Sequence, residues 1–355
     1  MIDSGITPNH DAPQHGPRPL PLFLDMLRSE TAASPERRDA ALAGLRAYQH
    51  ADRGVARRLP VAIHRAGRAQ LLDYGGDGRP VVFVPSLINP PFVLDLADDR
   101  SLLRWLAGQG LRPMLVDWGM PEPAERALDI AGHVERLLLP LLAALGEPPV
   151  LVGYCLGGTM ALAAAGAMPV AGLALIAAPW HFSGFGDGAR TEIAALWHAA
   201  EPTCRALGLV PMEVLQSGFW KLDPARTIAK YEAFAALDPG SAAARNFVAL
   251  EDWANAGAPL TYAAGAQLFD FFAADVPGRG EWIVAGRTID PAALPCPAVD
   301  FVSTTDRIVP AASATRLPDT RRIGAGHVGM IVGGRARAQL WKPLAGWLTG
   351  LPAPK

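Results

Sequence analysis

The chain alternates short, continuously apolar segments with longer segments in which apolar residues recur every three or four positions. Continuously apolar segments are typical of strands buried on both faces of a parallel sheet, and the periodic segments between them predict helices. Strand followed by helix, repeated along the chain, predicts an α/β fold with a doubly wound, mostly parallel sheet. The predicted strands are 81–84, 114–117, 150–153, 173–177, 297–302 and 321–323, and the predicted helices around them include 101–109, 130–145 and 339–348.

The region before the first of these strands has a different pattern. Residues 1–20 are polar and proline-rich, which predicts a disordered tail. Helical periodicity over 20–28 and 35–57, with Ser34 as an N-cap, predicts a helical N-terminal segment, so that 1–58 form a tail and helices before the main domain. Residues 61–74 alternate roughly and end at a glycine-rich turn, which predicts a strand or hairpin.

The alternation of strands and helices stops between the strands 173–177 and 297–302. Residues 181–290 are mostly helical in pattern and rich in aromatic residues, and they are too long to be a loop. We interpret them as a cap inserted into a core formed by 59–180 and 291–355, because insertions at the catalytic edge of such sheets cover the site. The alternative is a set of extra helices packed on an edge of the sheet.

Composition narrows the class of protein. The net charge is −2 over 355 residues, so no basic field indicates a nucleic-acid partner. The chain shows no apolar signal core and no segment long enough to span a membrane, which predicts a cytoplasmic protein. Nine tryptophans and an apolar fraction of 50% suggest a subunit contact or a water-insoluble substrate. The three cysteines lack metal-binding spacing, and no metal or organic cofactor is expected.

The strongest chemical signal lies at the end of the strand 150–153. The pattern Gly153-x-Cys155-x-Gly157 joins this strand to a run of strong helix formers, which predicts the nucleophile elbow of an α/β-hydrolase with cysteine in place of serine. Glycines flank such a nucleophile because the sharp turn brings neighbouring backbones too close for a Cβ. The helix that follows favours negative charge on a thiolate at its N-terminus.

A nucleophilic cysteine needs a base, and the base needs an acceptor that orients it. In this fold the acid and the histidine follow the nucleophile along the chain, in loops after late strands. Asp306 and His327 occupy such positions, so Cys155, Asp306 and His327 are the predicted catalytic residues. Asp306 alone could equally be a turn-capping residue, and Asp300, within the preceding strand, is a weaker alternative for the acid.

Acyl transfer also needs two hydrogen-bond donors for the oxyanion. The backbone amide of Leu156, directly after the nucleophile, is the first predicted donor. The second is expected in the proline-rich loop 85–91, where we select the amide of Ile88. The alternative is that this loop is simply a rigid turn.

Four segments together resemble the polyhydroxyalkanoate synthases, which are acyltransferases of the α/β-hydrolase type with a cysteine nucleophile. These segments are 85–96, 116–121, 153–159 and 326–333, and weaker similarity extends through the insert. The compact length and the motif 117–119 are most similar to the short synthases that work with a separate accessory subunit. The chain departs from the family at Ser86, where a second proline is expected, in 303–307, which lacks an acidic-rich turn, and in 178–182.

The resemblance implies a function and a set of partners. Cys155 would carry the acyl group, His327 would be the base and Asp306 its partner. The substrate would be an (R)-3-hydroxyacyl-CoA, whose acyl group passes to the sulfur and then to the hydroxyl of a growing polyester. The family also implies a homodimer, an accessory synthase subunit, and a location in the cytoplasm that includes the polyester granule surface.

Two alternative functions fit the same residues. One is a hydrolase with this triad, such as an intracellular polyester depolymerase, an esterase or a thioesterase, because only the access of water to the acyl-enzyme separates the two outcomes. The other is a non-catalytic granule or regulatory protein, which the presence of Cys155, Asp306 and His327 argues against. The sequence does not determine the preferred acyl-chain length.

Overall fold

The computed structural model describes residues 16–53 and 58–352. Its central feature is an eight-stranded sheet. Each strand of the sheet is short, and those at its centre are buried on both faces, as their uninterrupted apolar sequences predict. In chain order the strands are β1 (Ala62–Ala66), β2 (Ala69–Asp73), β3 (Pro80–Val84), β4 (Arg112–Asp117), β5 (Val150–Tyr154), β6 (Gly172–Ile176), β7 (Ala298–Ser303) and β8 (Thr320–Ile323).

The sheet is mostly parallel, with the strand order β1-β2-β4-β3-β5-β6-β7-β8. Only the pairings of β2 with β1 and with β4 are antiparallel, and all pairings from β4 to β8 are parallel. The predicted doubly wound α/β architecture is therefore confirmed, and every predicted strand is found within two residues of its expected bounds. Because the strands from β3 to β8 run in one direction, the loops that follow them meet at one edge of the sheet.

Thirteen α-helical segments lie within the described residues, several of them joined end to end. They are α1 (Leu20–Glu30), α2 (Pro35–Gln49), α3 (Leu102–Ala107), α4 (Ile130–His133), α5 (Leu139–Ala143), α6 (Leu156–Ala167), α7 (Asp187–Leu207), α8 (Met212–Lys221), α9 (Pro224–Ala235), α10 (Ala242–Asn255), α11 (Tyr262–Ala274), α12 (Gly329–Val332) and α13 (Lys342–Thr349). Two π-helical turns, Val134–Leu138 and Arg337–Trp341, lead directly into α5 and α13.

The helix predicted over 35–57 is too long. Ser34 accepts a hydrogen bond from the amide of Arg37 at 3.3 Å, so the predicted N-cap is correct. The helix ends at Gln49, however, where the Arg53 side chain folds back and donates to the carbonyl of Tyr48 in the last turn and to that of Ala51 just beyond it, in place of the backbone amides of a continuing helix. Residues 54–57 lie outside the described part of the chain, as does most of the tail predicted over 1–20.

Contacts divide the described residues into two compact units, which we describe separately. The first contains 16–53 and 219–255, and its core is formed by apolar faces of α1, α2, α9 and α10. Aromatic rings fill this core, with Phe23 and Tyr231 in edge-to-face contact at 4.8 Å between centroids. The second unit contains 58–218 and 256–352, including the whole sheet.

This division differs from the expected boundaries. The segment 219–255 lies within the predicted cap 181–290, yet it belongs to the same unit as the N-terminal helices. The physical reason is the apolar face of α9, whose Ile228, Tyr231 and Phe234 are buried in the core shared with α1 and α2. The remainder of the expected cap belongs to the unit that contains the sheet. That 181–290 covers the site as a cap stays a prediction.

Candidate active site

The predicted nucleophile is the single residue between a strand and a helix. β5 ends at Tyr154, α6 begins at Leu156, and Cys155 between them has φ 57° and ψ −133°. Residues with a Cβ rarely adopt this conformation, and it persists only where the surroundings enforce it. Cys155 is half-buried, so its thiol remains within reach of a ligand.

The glycines beside Cys155 are required by close contacts. A Cβ on Gly157 would lie 2.5 Å from the carbonyl of Pro85, in the loop after β3. A Cβ on Gly153 would lie 2.7 Å from the carbonyl oxygen of Gly157 itself and 2.8 Å from the Cβ of Ala161. These distances are below any normal contact, so Gly157 lets the elbow approach the β3 loop, and Gly153 lets β5 approach α6, only because neither position carries a side chain.

Asp306 and His327 meet at the same edge of the sheet. Nδ1 of His327 lies 2.6 Å from Oδ2 of Asp306, and both side chains are buried. The other carboxylate oxygen of Asp306 accepts hydrogen bonds from the amides of Ile308 at 2.7 Å and Val309 at 3.0 Å. The turn after β7 therefore fixes the carboxylate, and the carboxylate in turn orients the imidazole.

Asp300, the alternative acid, has other partners. Its Oδ2 accepts from the hydroxyl of Thr315 at 2.6 Å and from the amide of that residue at 3.2 Å. Burial raises the pKa of Asp300 to about 6, because the strand β7 holds its side chain away from solvent. Of the two carboxylates considered, the one that contacts His327 is Asp306.

His327 interacts with both other members of the predicted triad. Burial alone would lower the pKa of His327, but the charge of Cys155 and hydrogen bonds to Asp306 and Cys155 raise it to about 10. The raised pKa means that the site stabilises the imidazolium form of His327. The structure thus brings together the three residues that the sequence pattern selected.

Two further residues of the site were missed by sequence reasoning. The Tyr154 ring stacks on the imidazole of His327 with 5.1 Å between centroids. The Ser303 hydroxyl donates to the carbonyl of Ala325, which ties the end of β7 to the loop that carries His327. Tyr154 occupies a variable position of the elbow pattern, so the sequence carried no signal for it, whereas a polar residue ending β7 is a weak signal for Ser303.

The two predicted oxyanion donors differ in their surroundings. Leu156 is the first residue of α6, so its amide has no acceptor in a preceding helical turn and is available at the helix N-terminus. The amide of Ile88 instead donates to the hydroxyl oxygen of Ser86 at 3.1 Å. To bind an oxyanion, Ile88 would have to exchange this hydrogen bond, and both donors stay predictions.

A cavity of about 250 Å³ lies beside the same loop, at the carboxyl ends of β3 and β4. Its polar side chains include Ser86, Asn89 and Asp117. Its wall also contains His133, which burial holds largely uncharged by lowering its pKa to about 4, and whose Nε2 lies 2.7 Å from the guanidinium of Arg68. The loop 85–91 therefore lines this cavity and also contacts the nucleophile elbow through Pro85.

Other kinds of site are not found in the described ranges 16–53 and 58–352. No group of three or more histidine, cysteine, aspartate or glutamate side chains there could hold a metal ion. None of the helices in those ranges combines the length and apolarity needed to cross a bilayer.

Comparison with known proteins supports the assignment of an α/β-hydrolase fold. A family described as "Alpha/beta hydrolase family" matches residues 81–338. Among solved structures, an epoxide hydrolase of the alpha/beta hydrolases superfamily from metagenomes of hot environments covers 83% of this chain and 100% of its own, with a TM-score of 0.50 and 15% identity. At that identity the similarity shows the fold alone, and it agrees with the predicted fold class.

Curated relatives carry a more specific name. The Poly(3-hydroxyalkanoate) polymerase subunit PhaC of Haloferax mediterranei is 26% identical over 93% of this chain and 72% of its own length. The subunit of the same name from Synechocystis is 28% identical over 76% of this chain and 77% of its own. The similarity to polyhydroxyalkanoate synthases predicted from the four motifs is thereby confirmed.

Proposed function

This chain belongs to the alpha/beta hydrolase family, and we propose that it polymerises (R)-3-hydroxyacyl-CoA into polyhydroxyalkanoate by acyl transfer through Cys155, His327 and Asp306. The observation that carries the proposal is the position of His327, whose Nδ1 is hydrogen-bonded to Asp306 and whose imidazole interacts electrostatically with Cys155. The names of the curated relatives support the substrate class.

In the first half-reaction the thiolate of Cys155 attacks the thioester carbonyl of the acyl-CoA. The carbonyl electrons move to oxygen, and the amide of Leu156 is the proposed donor to this oxyanion. As the carbonyl re-forms, the bond to the CoA sulfur breaks, and His327 donates its proton to the departing thiolate. The products are CoA and a hydroxyacyl thioester on Cys155. A thioester replaces a thioester, so this step is nearly balanced energetically.

In the second half-reaction a hydroxyl group resolves the acyl-enzyme. His327, now neutral, takes the proton from the hydroxyl of the growing chain, whose oxygen attacks the acyl carbonyl. The carbon–sulfur bond breaks, and the Cys155 thiolate returns beside an imidazolium. Asp306 holds Nδ1 throughout, which keeps Nε2 directed at the reacting atoms.

The same chemistry ends in hydrolysis if water replaces the hydroxyl of the chain. Synthase and hydrolase therefore share the residues and differ in what reaches the acyl-enzyme. The names of the polymerase relatives favour transfer to a hydroxyl group. We also propose an accessory synthase subunit, which the word subunit in the relatives' names supports, together with a homodimer and a location in the cytoplasm or at the surface of a polyester granule.

The covalent intermediate provides the test. Purified protein is mixed with (R)-3-hydroxybutyryl-CoA, quenched in acid and digested, and the peptide that contains Cys155 is weighed by mass spectrometry. The proposal predicts one or more hydroxybutyryl units on Cys155, with release of CoA, and none in Cys155→Ala. CoA release without an adduct, and undiminished in Cys155→Ala, would contradict it.

A further inference from the structure

The motif 117–119 forms an Asx turn at the end of β4. One carboxylate oxygen of Asp117 accepts a hydrogen bond from the amide of Gly119 at 3.1 Å, and the other accepts from Nε2 of Gln70, on the neighbouring strand β2, at 3.0 Å. Gly119 has φ 65°, and a Cβ there would lie 2.7 Å from the carbonyl oxygen of Arg68. The backbone that carries Trp118 is therefore held on both sides, and a side chain at position 119 would not fit.

The indole of Trp118 is fixed by two contacts of its own. Only 5% of Trp118 is exposed, and its Nε1 donates to the carbonyl oxygen of Pro85 at 3.0 Å. Its ring lies edge-to-face with the imidazole of His133, at 6.2 Å between centroids and 79° between planes. A buried indole N–H needs an acceptor, and here the acceptor is the first residue of the loop 85–91.

The Pro85 carbonyl also touches the nucleophile elbow. A Cβ on Gly157 would lie 2.5 Å from the carbonyl oxygen of Pro85, so this oxygen packs directly on the first turn of α6. The same turn begins with Leu156, whose amide is the first proposed oxyanion donor. The second donor is expected in the loop 85–91. The Pro85 carbonyl therefore lies where the two donor-bearing segments meet.

We propose that Trp118 is a positioning residue, whose hydrogen bond to Pro85 holds the loop 85–91 at the distance from α6 that an oxyanion between the two segments requires. This inference rests on the proposed function, because it assigns Trp118 a part in the attack of Cys155 on an acyl carbonyl. It also gives each residue of the motif a task. Asp117 and Gly119 form the turn, and Trp118 connects it to the loop.

Replacing Trp118 by phenylalanine removes the donor and keeps an aromatic ring. The Pro85 carbonyl is then left buried without its indole partner, and the loop must shift to find another donor. Oxyanion donors act only when they lie about 2.7–3.1 Å from the developing charge, and a small misplacement of a reacting group costs up to about 10²-fold in rate. We therefore expect Trp118→Phe to slow acylation of Cys155 by roughly 10- to 100-fold.

Two reactions of the same thiol separate positioning from general damage. p-Nitrophenyl acetate acylates Cys155 by attack at a carbonyl carbon, which places negative charge on the carbonyl oxygen. Iodoacetamide alkylates the same sulfur by displacing iodide from a saturated carbon, with no oxyanion. Both reactions are followed in the full chain during the first turnover, by acid quench, digestion and mass spectrometry of the peptide that contains Cys155. The quantity compared is the ratio of the acylation rate to the alkylation rate.

Trp282→Phe is the matched control. Trp282 is as deeply buried as Trp118, but in the part of the chain that the structure describes its Nε1 has no hydrogen-bond partner. The control therefore makes the same change of ring without removing such a bond. Circular dichroism checks the folding of both variants. If Trp118→Phe does not fold, Asp117→Asn replaces it, since an asparagine has one oxygen for the two donors of the turn, and the same ratio should fall by less.

The inference predicts that the ratio falls in Trp118→Phe, with alkylation close to that of the native chain, and that it is unchanged in Trp282→Phe. An unchanged ratio in Trp118→Phe, or an equal fall in both variants, would overturn the inference.

The thioester substrate distinguishes this failure from failure of the proposed function. If p-nitrophenyl acetate acylates Cys155 in a manner that depends on Trp118 but (R)-3-hydroxybutyryl-CoA does not react, only the proposed function fails. If the thioester acylates Cys155 equally well in the native chain and in Trp118→Phe, only the inference fails. If Cys155 is alkylated but neither acyl donor reacts with it, both fail.

Discussion

Replacing Asp306 by asparagine tests the role assigned to its carboxylate. In the native chain Oδ2 of Asp306 lies 2.6 Å from Nδ1 of His327, while Oδ1 accepts from the amides of Ile308 and Val309. An asparagine keeps the two backbone hydrogen bonds only if its carbonyl oxygen faces those amides. Its NH₂ group then faces His327, and an NH₂ group can donate to Nδ1 but cannot accept from it.

The consequence is the wrong tautomer of the imidazole. With a donor opposite Nδ1, the proton of neutral His327 moves to Nε2, so that Nε2 can no longer take a proton from Cys155 or from a hydroxyl group. The corresponding change in serine-based triads lowers kcat by about 10⁴. A thiol is more acidic than a serine hydroxyl and depends less on the base, so we expect a loss of roughly 10² to 10⁴ in kcat/KM.

The structure offers a matched control in the same strand and loop. Asp300 is also buried, but its Oδ2 binds the hydroxyl and amide of Thr315. Asp300→Asn should therefore lose only a small fraction of activity once the protein is folded. Release of CoA from (R)-3-hydroxybutyryl-CoA is followed with a thiol reagent for both variants, and circular dichroism confirms that each is folded. If Asp300→Asn is the more damaging change, or if Asp306→Asn keeps full activity, the assignment of the acid is wrong.

Three further predictions address the nucleophile, the base and the elbow. Cys155→Ser should lose most CoA release, because His327 removes a proton from a thiol far more easily than from a serine hydroxyl; full turnover would refute the assignment. Since the pKa of His327 is raised above 6.5 to about 10, its imidazolium should persist through neutral pH and disappear only near pH 10. Histidine NMR should show that midpoint in the native chain and a lower one in Cys155→Ala, whereas a native midpoint near 6.5 would contradict it. Gly157→Ala should cost about 1–3 kcal/mol of unfolding free energy in urea denaturation, because its Cβ would overlap the carbonyl of Pro85; an unchanged midpoint would show that the loop yields.

The sheet could be predicted from the sequence because its signals are local. A strand such as β5 has no polar residue before Tyr154, so its burial on both faces follows from composition alone. The elbow adds glycines at positions where a Cβ would overlap either the helix α6 or the neighbouring strand loop. Asp306 and His327 could be selected because the fold fixes the order and the edge of the sheet at which such residues occur.

What could not be predicted depends on contacts between residues distant in the sequence or on small backbone adjustments. The end of α2 depends on where the Arg53 side chain folds back, and the helix 130–145 contains a π-helical turn just before Pro140, which lacks the amide that a regular α-helix would use. The unit formed by 16–53 and 219–255 depends on the burial of side chains separated by about half the chain.

The hydrogen bonding in the loop after β3 also could not be predicted from the sequence. The hydrogen bond from Ile88 to Ser86 arises at a position where this chain carries a serine instead of the proline typical of the similar synthases. The fold could suggest a donor such as Ile88 in this loop, but it could not show that the amide of Ile88 already has an acceptor. The stacking of Tyr154 on His327 likewise becomes visible only in three dimensions.

The central claim is that a hydroxyl group, rather than water, resolves the acyl-enzyme on Cys155. The most direct measurement is the identity of the acyl product formed from (R)-3-hydroxybutyryl-CoA by the purified protein, determined by mass spectrometry and repeated with a candidate accessory subunit. The account predicts oligomeric or polymeric 3-hydroxybutyrate ester, formed in step with CoA and absent in Cys155→Ala. Free 3-hydroxybutyrate as the sole product under both conditions would contradict it and would make the protein a cysteine hydrolase.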